Sequence, residues 1–303
     1  MINSPFLKTK IVLPQRPKTL LHRPRLVEFI HEHIGRKLVL ISAAAGYGKT
    51  SVLIDFAHDT ELPVCWYSLD ESDRDPRVLL EYLVASIGHR FPQILEGKLA
   101  SVVADSSAGF DTNTILATLI NEIYERIAEV FILLLDDYHY VDESVDANRL
   151  LDSFLENLPQ NCTIVLSSRT MPRLSLVTLT AKQEIAGLGS ADLRFTAEEI
   201  ERLLSEVYKI PIPSEEAKRL AVESEGWITA ILLTTHSLWK GLLQTMIQAK
   251  RRGEYVYEYL ADQVFNQQGP EVQSFLKGSS ILETMDPALC DELLERSDST
   301  KML

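Results

Sequence analysis

The first 190 residues alternate between short apolar runs and segments in which apolar residues recur at helical spacing. Unbroken apolar runs are typical of strands buried on both faces of a parallel sheet, and helical spacing indicates amphipathic helices. The runs predict strands near 37–42, 63–68, 130–135, 162–167 and 183–187. The helical spacing predicts helices near 51–58, 77–90, 112–128 and 145–157. This alternation predicts an α/β fold in which helices cover both faces of a parallel sheet.

A loop of mostly small residues follows the first predicted strand. It reads Ala43-Ala44-Ala45-Gly46-Tyr47-Gly48-Lys49-Thr50-Ser51. Small residues before a helix N-terminus let main-chain N–H groups approach a phosphate closely, while Lys49 supplies a positive charge and the Thr50 hydroxyl suits Mg²⁺. The strict motif has Gly where this chain has Ala43, but the strand before the loop and the helix after it support a phosphate-binding loop. We expect nucleotide contacts from Ala45 through Ser51.

Two aspartates follow the apolar run at 130–135. Ligands of parallel α/β sheets bind beyond the carboxyl ends of the strands. We therefore expect Asp136 to hold Mg²⁺ together with Thr50, and Asp137 to position the water that attacks the γ-phosphate. The alternative is that the pair forms a solvated turn, or caps the helix that begins near Ser144.

Two further residues are candidates near the same edge of the predicted sheet. Arg169 follows the apolar run at 162–167. If this strand lies between the first and third strands, the Arg169 guanidinium points at the γ-phosphate and is a third catalytic group beside Lys49 and Asp137. Otherwise Arg169 is a surface residue in the turn before Pro172. His139 either senses phosphate or caps a helix, and the sequence leaves both roles open.

Several motifs, taken together, resemble a known family. They are Ala43 to Thr50, Leu135-Asp136-Asp137-Tyr138-His139, Ser167-Ser168-Arg169 and Glu225-Gly226-Trp227, with further matches at Leu21 to Leu26, Trp66 to Asp70 and Tyr259 to Ala261. In this order they are similar to the nucleotide-binding core of MalT-type, LuxR-family transcriptional regulators. That group is part of the STAND class of P-loop ATPases, the signal-transduction ATPases with numerous domains. The resemblance runs from about residue 5 to the end of the chain.

The resemblance implies a switch. Such proteins hold ADP in a closed resting form, exchange it for ATP, self-associate in the ATP state and reset by slow, Mg²⁺-dependent hydrolysis. It also implies that the strand near 162–167 lies between those near 37–42 and 130–135, and that Arg23 contacts the nucleotide base. The family's inducer-sensing repeats and DNA-binding helix-turn-helix are not visible in the chain, and full-length relatives would continue past Leu303. Adenine rather than guanine follows from the resemblance alone.

The patterns and the resemblance together predict four regions: an N-terminal segment over 1–35, a P-loop NTPase domain over 36–190, a helical lid domain over 191–253 and a partial winged-helix domain over 254–303. Thr196 followed by Glu199 is a capping box, which predicts a helix start in the lid. Related switch ATPases place a Gly-x-Pro motif in this lid, whereas this chain has Gly226 and Trp227 without the proline. A helix start packed by the indole is at least as good an interpretation there as a nucleotide contact.

Composition narrows the possible partners. The chain has 30 Lys and Arg against 43 Asp and Glu, a net charge of −13, which argues against DNA binding by this chain itself. Its three cysteines lack a metal-ligand spacing, and no signal peptide or membrane span is visible, so we expect a cytoplasmic protein. Asp70, Asp73 and Asp75 lack the glycine of a calcium loop, which favours turn formation and capping.

Two other function classes stay open at this point. Many phosphotransferases hold ATP with the same loop, but the region after residue 190 offers few arginines near glycine hinges for a mobile lid. A scaffold that binds nucleotide without cleaving it would have no use for Asp137 as a second carboxylate. A regulatory ATPase switch is the prediction that these residues favour.

Overall fold

A computed structural model of the chain describes residues 6–99, 111–236, 265, 269–282 and 286–302. The predicted boundary at 253 and the Tyr259 to Ala261 match lie outside these residues. By contacts the chain forms two compact units, residues 1–228 and 229–303. No helix in the described ranges is both long and apolar enough to span a bilayer.

Within the described ranges, five strands form one parallel sheet in the order β2-β3-β4-β1-β5. Their bounds are Leu38–Ser42 (β1), Val64–Ser68 (β2), Phe131–Asp136 (β3), Cys162–Ser168 (β4) and Ile185–Leu188 (β5). All five predicted strands are present within two residues of the expected bounds. Strand β4 lies between β1 and β3, as the resemblance implied.

The sheet is buried on both faces, which explains the unbroken apolar runs. In β3, Leu133 and Leu135 belong to one hydrophobic cluster, while Ile132 and Leu134 belong to a second cluster on the opposite face. This division follows from the alternation of side chains along a strand. A strand with apolar neighbours on both sides has no polar face, so its sequence shows no alternation.

Helices cover both clusters. In the described part of the first unit they are Pro24–Glu32 (α1), Lys49–Asp59 (α2), Pro76–Arg90 (α3), Thr112–Arg126 (α4), Val145–Glu156 (α5), Leu176–Ala181 (α6), Ser190–Leu193 (α7), Ala197–Arg202 (α8) and Ser214–Glu223 (α9). Helices α1 and α2 pack on one face through residues such as Ile30 and Phe56. Helices α3, α4 and α5 pack on the other. The predicted α/β fold with helices on both faces is confirmed.

The helical region after the sheet begins as its sequence predicts. The Thr196 hydroxyl accepts from the Glu199 N–H, and the Glu199 carboxylate accepts from the Thr196 N–H, which forms the predicted capping box at the start of α8. A π-helical turn, Leu203–Val207, then leads towards α9. Helix α10, Ile228–His236, begins where the first unit ends.

The second unit is helical where it is described. Besides almost all of α10, its described helices are Pro270–Ser279 (α11), Pro287–Leu294 (α12) and Ser299–Met302 (α13). Asp286 caps α12, because its carboxylate accepts from the N–H groups of Ala288 and Leu289.

The aspartates near residue 70 have structural roles, as the sequence favoured. Asp70 accepts from the Ser72 N–H, and Asp75 caps α3 by accepting from the Arg77 N–H. Asp73 is buried and pairs with Lys10 Nζ at 2.6 Å. No group of three or more His, Cys, Asp or Glu in the described part of the chain is arranged to hold a metal ion.

Candidate functional site

The loop between β1 and α2 depends on two glycines. Gly46 has φ 79° and Gly48 has φ 82°, in the left-handed region that side chains with a Cβ rarely adopt. Gly48 is the N-cap residue of α2, so the loop ends at the N-terminus of an 11-residue helix. Free N–H groups at such a terminus, together with the helix dipole, favour an anion.

Lys49 is the first residue of α2 and is 6% exposed. Its Nζ donates to the carbonyl oxygens of Ala43 at 2.7 Å and Ala44 at 3.0 Å. The ammonium is thus folded back onto the loop that precedes it. Burial lowers the pKa of Lys49, the Asp137 carboxylate acts to raise it, and Arg169 acts to lower it.

The Asp136 carboxylate joins three elements at the carboxyl edge of the sheet. Asp136 ends β3 and is 2% exposed. Ser167 Oγ on β4 donates to Asp136 Oδ1, and the Thr50 side chain of α2 also hydrogen-bonds this carboxylate. The contact with Thr50 brings together the two residues predicted to share Mg²⁺. Their hydroxyl and carboxylate oxygens are the ligand types that this ion prefers.

Burial and the neighbouring Asp137 raise the pKa of Asp136 to about 6, although the hydrogen bonds from Ser167 and Thr50 act to lower it. A buried carboxylate next to a second carboxylate favours protonation when no cation is near. A divalent cation would favour the charged form. The electrostatics of Asp136 therefore fit a cation site.

Asp137 has φ 62° and ψ 39°, the left-handed conformation that costs a non-glycine residue of order 1 kcal/mol. Its N–H donates to Ser167 Oγ at 3.0 Å, which holds this turn against β4. Burial raises the pKa of Asp137, whereas Lys49 and Arg169 act to lower it. The turn ends the strand and leaves the second carboxylate where the charges of Lys49 and Arg169 act on it. Asp136 is buried, whereas the Asp137 side chain is 37% exposed, so the alternative of a solvated turn does not hold for Asp136.

Arg169 follows directly after β4, and its charge acts on Lys49, Asp137 and His139. The position of β4 between β1 and β3 explains this neighbourhood, because parallel strands present their carboxyl ends at one edge. The structure thus brings together the loop, both aspartates and Arg169.

The sequence left undecided whether Trp227 contacts the nucleotide or packs at a helix start. Its indole Nε1–H donates to the carbonyl oxygen of Ala45 in the loop at 3.1 Å. Gly226 before it has φ 68°, and its carbonyl oxygen accepts from the Phe195 N–H at 2.9 Å. A Cβ on Gly226 would lie 2.7 Å from the Phe195 carbonyl oxygen. Gly226 therefore has a structural role, and Trp227 connects the helical region to the loop.

Arg23 has a different environment from the one that the resemblance implied. Its guanidinium is buried, donates to Glu199 Oε2 and to the Arg194 carbonyl oxygen, both at 2.9 Å, and lies 4.0 Å from the centre of the Phe195 ring. Arg25 Nε donates to the other Glu199 oxygen at 2.9 Å. The Arg23 side chain therefore joins the N-terminal segment to the capping box of α8, and its contact with the nucleotide base stays a prediction.

Ser167 is a site residue that had no predicted role of its own. Its hydroxyl donates to Asp136 and accepts from the Asp137 N–H, so it orients both aspartates. The available signal was a hydroxyl residue at the carboxyl end of a strand that is otherwise apolar.

Comparisons with known proteins bear on this arrangement. The HTH-type transcriptional regulator MalT of Yersinia enterocolitica is 29% identical over 305 residues, covering 98% of this chain and 33% of that protein. The MalT of Serratia proteamaculans is 28% identical with the same coverage. The chain is MalT-like over almost its whole length. It spans about a third of the length of these curated relatives.

Two further comparisons concern the fold of this MalT-like chain. A family described as the MalT winged helix domain matches residues 261–303, which confirms the predicted start of a winged-helix domain. The Walker-type ATPase PABY2304 of Pyrococcus abyssi superposes with a TM-score of 0.56 at 15% identity, over 96% of this chain and 93% of that one. At that identity the likeness concerns the fold, and it confirms a P-loop ATPase fold.

Proposed function

We propose that this MalT-like chain is an ATP- and ADP-binding regulatory switch module. The observation that carries the proposal is the position of Lys49, in a loop with two left-handed glycines at a helix N-terminus, within the electrostatic reach of Asp136, Asp137 and Arg169. The fold supports it, because P-loop ATPases bind nucleotide with this loop. The adenine base is proposed from the MalT likeness alone.

In the proposed complex, the main-chain N–H groups of the loop hold the phosphates. The contacts would come from Ala45, Gly46, Tyr47, Gly48, Lys49, Thr50 and Ser51. Lys49 Nζ would exchange the carbonyl oxygens of Ala43 and Ala44 for phosphate oxygens, which bear more negative charge and form stronger hydrogen bonds. A bound phosphate would thus give this buried ammonium a charged acceptor in place of the two carbonyl oxygens.

Thr50 and Asp136 would hold Mg²⁺, which when bound neutralises phosphate charge. Asp137 would accept a hydrogen bond from the attacking water, and its left-handed conformation sets the direction of that carboxylate. Arg169 would stabilise the negative charge that develops on the transferred phosphate. We propose a slow Mg²⁺-dependent ATPase, as expected of a switch and not of a metabolic enzyme.

The biological role follows the MalT relatives and is proposed with them. Those relatives are transcriptional regulators, and this chain corresponds to about a third of their length. We propose that ATP binding promotes self-association, that hydrolysis reverses it, that the protein acts in the cytoplasm, and that this chain does not bind DNA directly. The predicted inducer-sensing and DNA-binding domains would lie in the remaining part of such a regulator.

Calorimetric titration of ADP and ATP tests the binding proposal. Lys49→Ala should abolish binding of both without unfolding the chain, and Lys218→Ala, which removes a surface lysine paired with Glu215, should bind as the wild type does. Unchanged affinity in Lys49→Ala would exclude the loop as the phosphate site.

A phosphate-release assay tests the catalytic part separately. Asp137→Asn should keep ATP binding and slow turnover by about 10²-fold or more, as expected when a group that positions the attacking water is lost. Equal turnover would remove Asp137 from the reaction. No turnover in the wild type, with binding intact, would leave a nucleotide-binding scaffold.

A further inference from the structure

A second serine lies beside Asp136 at the carboxyl edge of the sheet. The parallel register places Ser68, the last residue of β2, opposite Asp136, the last residue of β3. On the other side of Asp136, Ser167 of β4 donates to the same carboxylate. Asp136, the proposed magnesium ligand, therefore has a serine on each of its two neighbouring strands.

The side chains of Ser68 and Asp136 lie on the same face of the sheet. Side chains alternate along a strand, so every second residue shares a face. Trp66, two residues before Ser68, and Leu134, two residues before Asp136, belong to one hydrophobic cluster, which helix α2 covers. Helix α2 also carries Thr50, whose side chain hydrogen-bonds Asp136. Ser68 thus lies on the face where Thr50 and Asp136 are proposed to hold Mg²⁺.

A buried tryptophan fixes the position of the Ser68 hydroxyl. Trp66 is 2% exposed, and its indole Nε1–H donates to Ser68 Oγ at 2.8 Å. Ser86 on α3, a helix that covers the other face of the sheet, donates its hydroxyl to the Trp66 carbonyl oxygen at 2.8 Å. A buried indole N–H needs an acceptor. The simplest role for Ser68 is therefore structural, as the acceptor for this indole.

That structural role does not use the whole hydrogen-bonding capacity of Ser68. A serine hydroxyl offers two lone pairs and one O–H. The indole takes one lone pair, and the O–H has no acceptor among the residues that the structure describes. Ser68 is half-buried, unlike the fully buried Ser167 on the other side of Asp136. One lone pair and the O–H of Ser68 therefore remain for a ligand at this edge of the sheet.

We propose that Ser68 is a further residue of the magnesium site, where its hydroxyl oxygen accepts a hydrogen bond from a water molecule bound to the ion. This inference rests on the proposed function and adds an outer contact to Thr50 and Asp136. Mg²⁺ dehydrates reluctantly and keeps several waters when it binds a protein. A water bound to a divalent cation is more acidic than bulk water and so donates strongly. The second lone pair of Ser68 Oγ is an acceptor for such a water, and Trp66 holds that oxygen in place.

The test measures how much Mg²⁺ strengthens the binding of a non-hydrolysable ATP analogue, adenylyl imidodiphosphate, by calorimetry with Mg²⁺ and with EDTA. Because Ser68→Ala alone also leaves the indole without an acceptor, the deciding comparison is Trp66→Phe against the double variant Trp66→Phe/Ser68→Ala. Phenylalanine keeps an aromatic ring in the core and needs no acceptor. We expect the added Ser68→Ala change to reduce the strengthening by Mg²⁺ about tenfold and to leave the affinity in EDTA unchanged. Ser68→Thr, which keeps the hydroxyl, should behave as the wild type does.

Ser86→Ala is the matched control. It removes another buried hydroxyl bonded to Trp66, but from the helix on the other face of the sheet. We expect it to lower the free energy of unfolding and to leave the effect of Mg²⁺ on analogue binding unchanged. A loss of the Mg²⁺ effect in Ser86→Ala as large as in the double variant would show that any disturbance of Trp66 is sufficient, which would contradict a specific role of Ser68.

The outcomes separate this inference from the function beneath it. Equal strengthening by Mg²⁺ in Trp66→Phe and the double variant, or an equal loss of affinity with Mg²⁺ and with EDTA, would overturn the role of Ser68 while nucleotide binding by the wild type stands. If the wild type binds the analogue under neither condition, the proposed function fails as well. If Trp66→Phe does not fold, Ser68→Thr and Ser68→Ala are compared in the wild-type background, where equal strengthening by Mg²⁺ would contradict the proposal.

Discussion

Replacing Asp136 by Asn should stabilise the nucleotide-free protein while removing a proposed metal ligand. Asp136 is 2% exposed, and its pKa rises from an ordinary value of 3.8 to about 6 because of burial and the adjacent Asp137. At about 1.4 kcal/mol per pH unit, this difference corresponds to a cost of about 3 kcal/mol for keeping the carboxylate charged in the folded state. The buried Asp136 carboxylate thus lowers the stability of the fold for the sake of its site.

The sign of the pH dependence follows from proton binding. Because the folded state binds this proton more tightly than the unfolded chain does, stability falls as the pH rises from about 4 to about 6, and the cost is complete above that range. Asparagine carries no charge and avoids the cost. It loses some of the hydrogen bonds that Ser167 and Thr50 make to the carboxylate, worth about 1 kcal/mol. The expected net gain is about 2 kcal/mol at pH 7.5, and it becomes a loss of up to about 1 kcal/mol at pH 4, where only the hydrogen-bond loss remains.

Urea titration combined with hydrogen exchange at the β3 and β4 amides measures this gain in the sheet itself. Asp146→Asn, at an exposed aspartate paired with Arg149, should change stability by less than about 0.5 kcal/mol at either pH. The Asp136→Asn protein should also lose Mg²⁺-dependent strengthening of ATP binding. A destabilised Asp136→Asn protein at pH 7.5, or a gain that is the same at both pH values, would refute the reasoning.

Three further predictions concern the contacts that hold the helical region on the loop and the N-terminal segment. Glu199→Ala leaves the buried Arg23 guanidinium without its carboxylate and should lower the free energy of unfolding by about 3 kcal/mol in urea titration. A loss below about 1 kcal/mol would contradict a stabilising role of this ion pair. Trp227→Phe removes one hydrogen bond to Ala45 and should cost about 1 kcal/mol. Faster hydrogen exchange of the loop amides should accompany that change, and unaltered exchange would show that the contact does not hold the loop. Gly226→Ala places a Cβ against the Phe195 backbone at a positive φ and should cost about 2–4 kcal/mol in thermal unfolding, whereas a neutral result would show that this turn can relax.

The fold was predictable because its determinants are local. Each buried strand appears as a continuous apolar run, and the two-sided burial of Ile132 and Leu133 is the physical reason. The capping box of Thr196 and Glu199 is equally visible, since both of its hydrogen bonds form between residues three apart.

The contacts that complete the site were less predictable because they are long-range. Glu199 is recognisable as a capping residue, but its pairing with Arg23 joins residues 176 positions apart. The Trp227 contact with Ala45 spans 182 positions. Neither is encoded by a local spacing, so Arg23 was a candidate for the nucleotide base from the resemblance alone, and the role of Trp227 was left undecided. The left-handed turn at Asp137 is likewise set by its hydrogen bond to Ser167 on a neighbouring strand.

Mass spectrometry of the ligand retained by the purified chain tests the central claim most directly. The protein is incubated with ATP and Mg²⁺, desalted and denatured, and the released molecules are quantified. We expect adenine nucleotide, mostly ADP, in near-equal amount to the wild-type chain and none with Lys49→Ala. Retention of equal nucleotide by both proteins, or of none by the wild type, would contradict a phosphate site built from this loop.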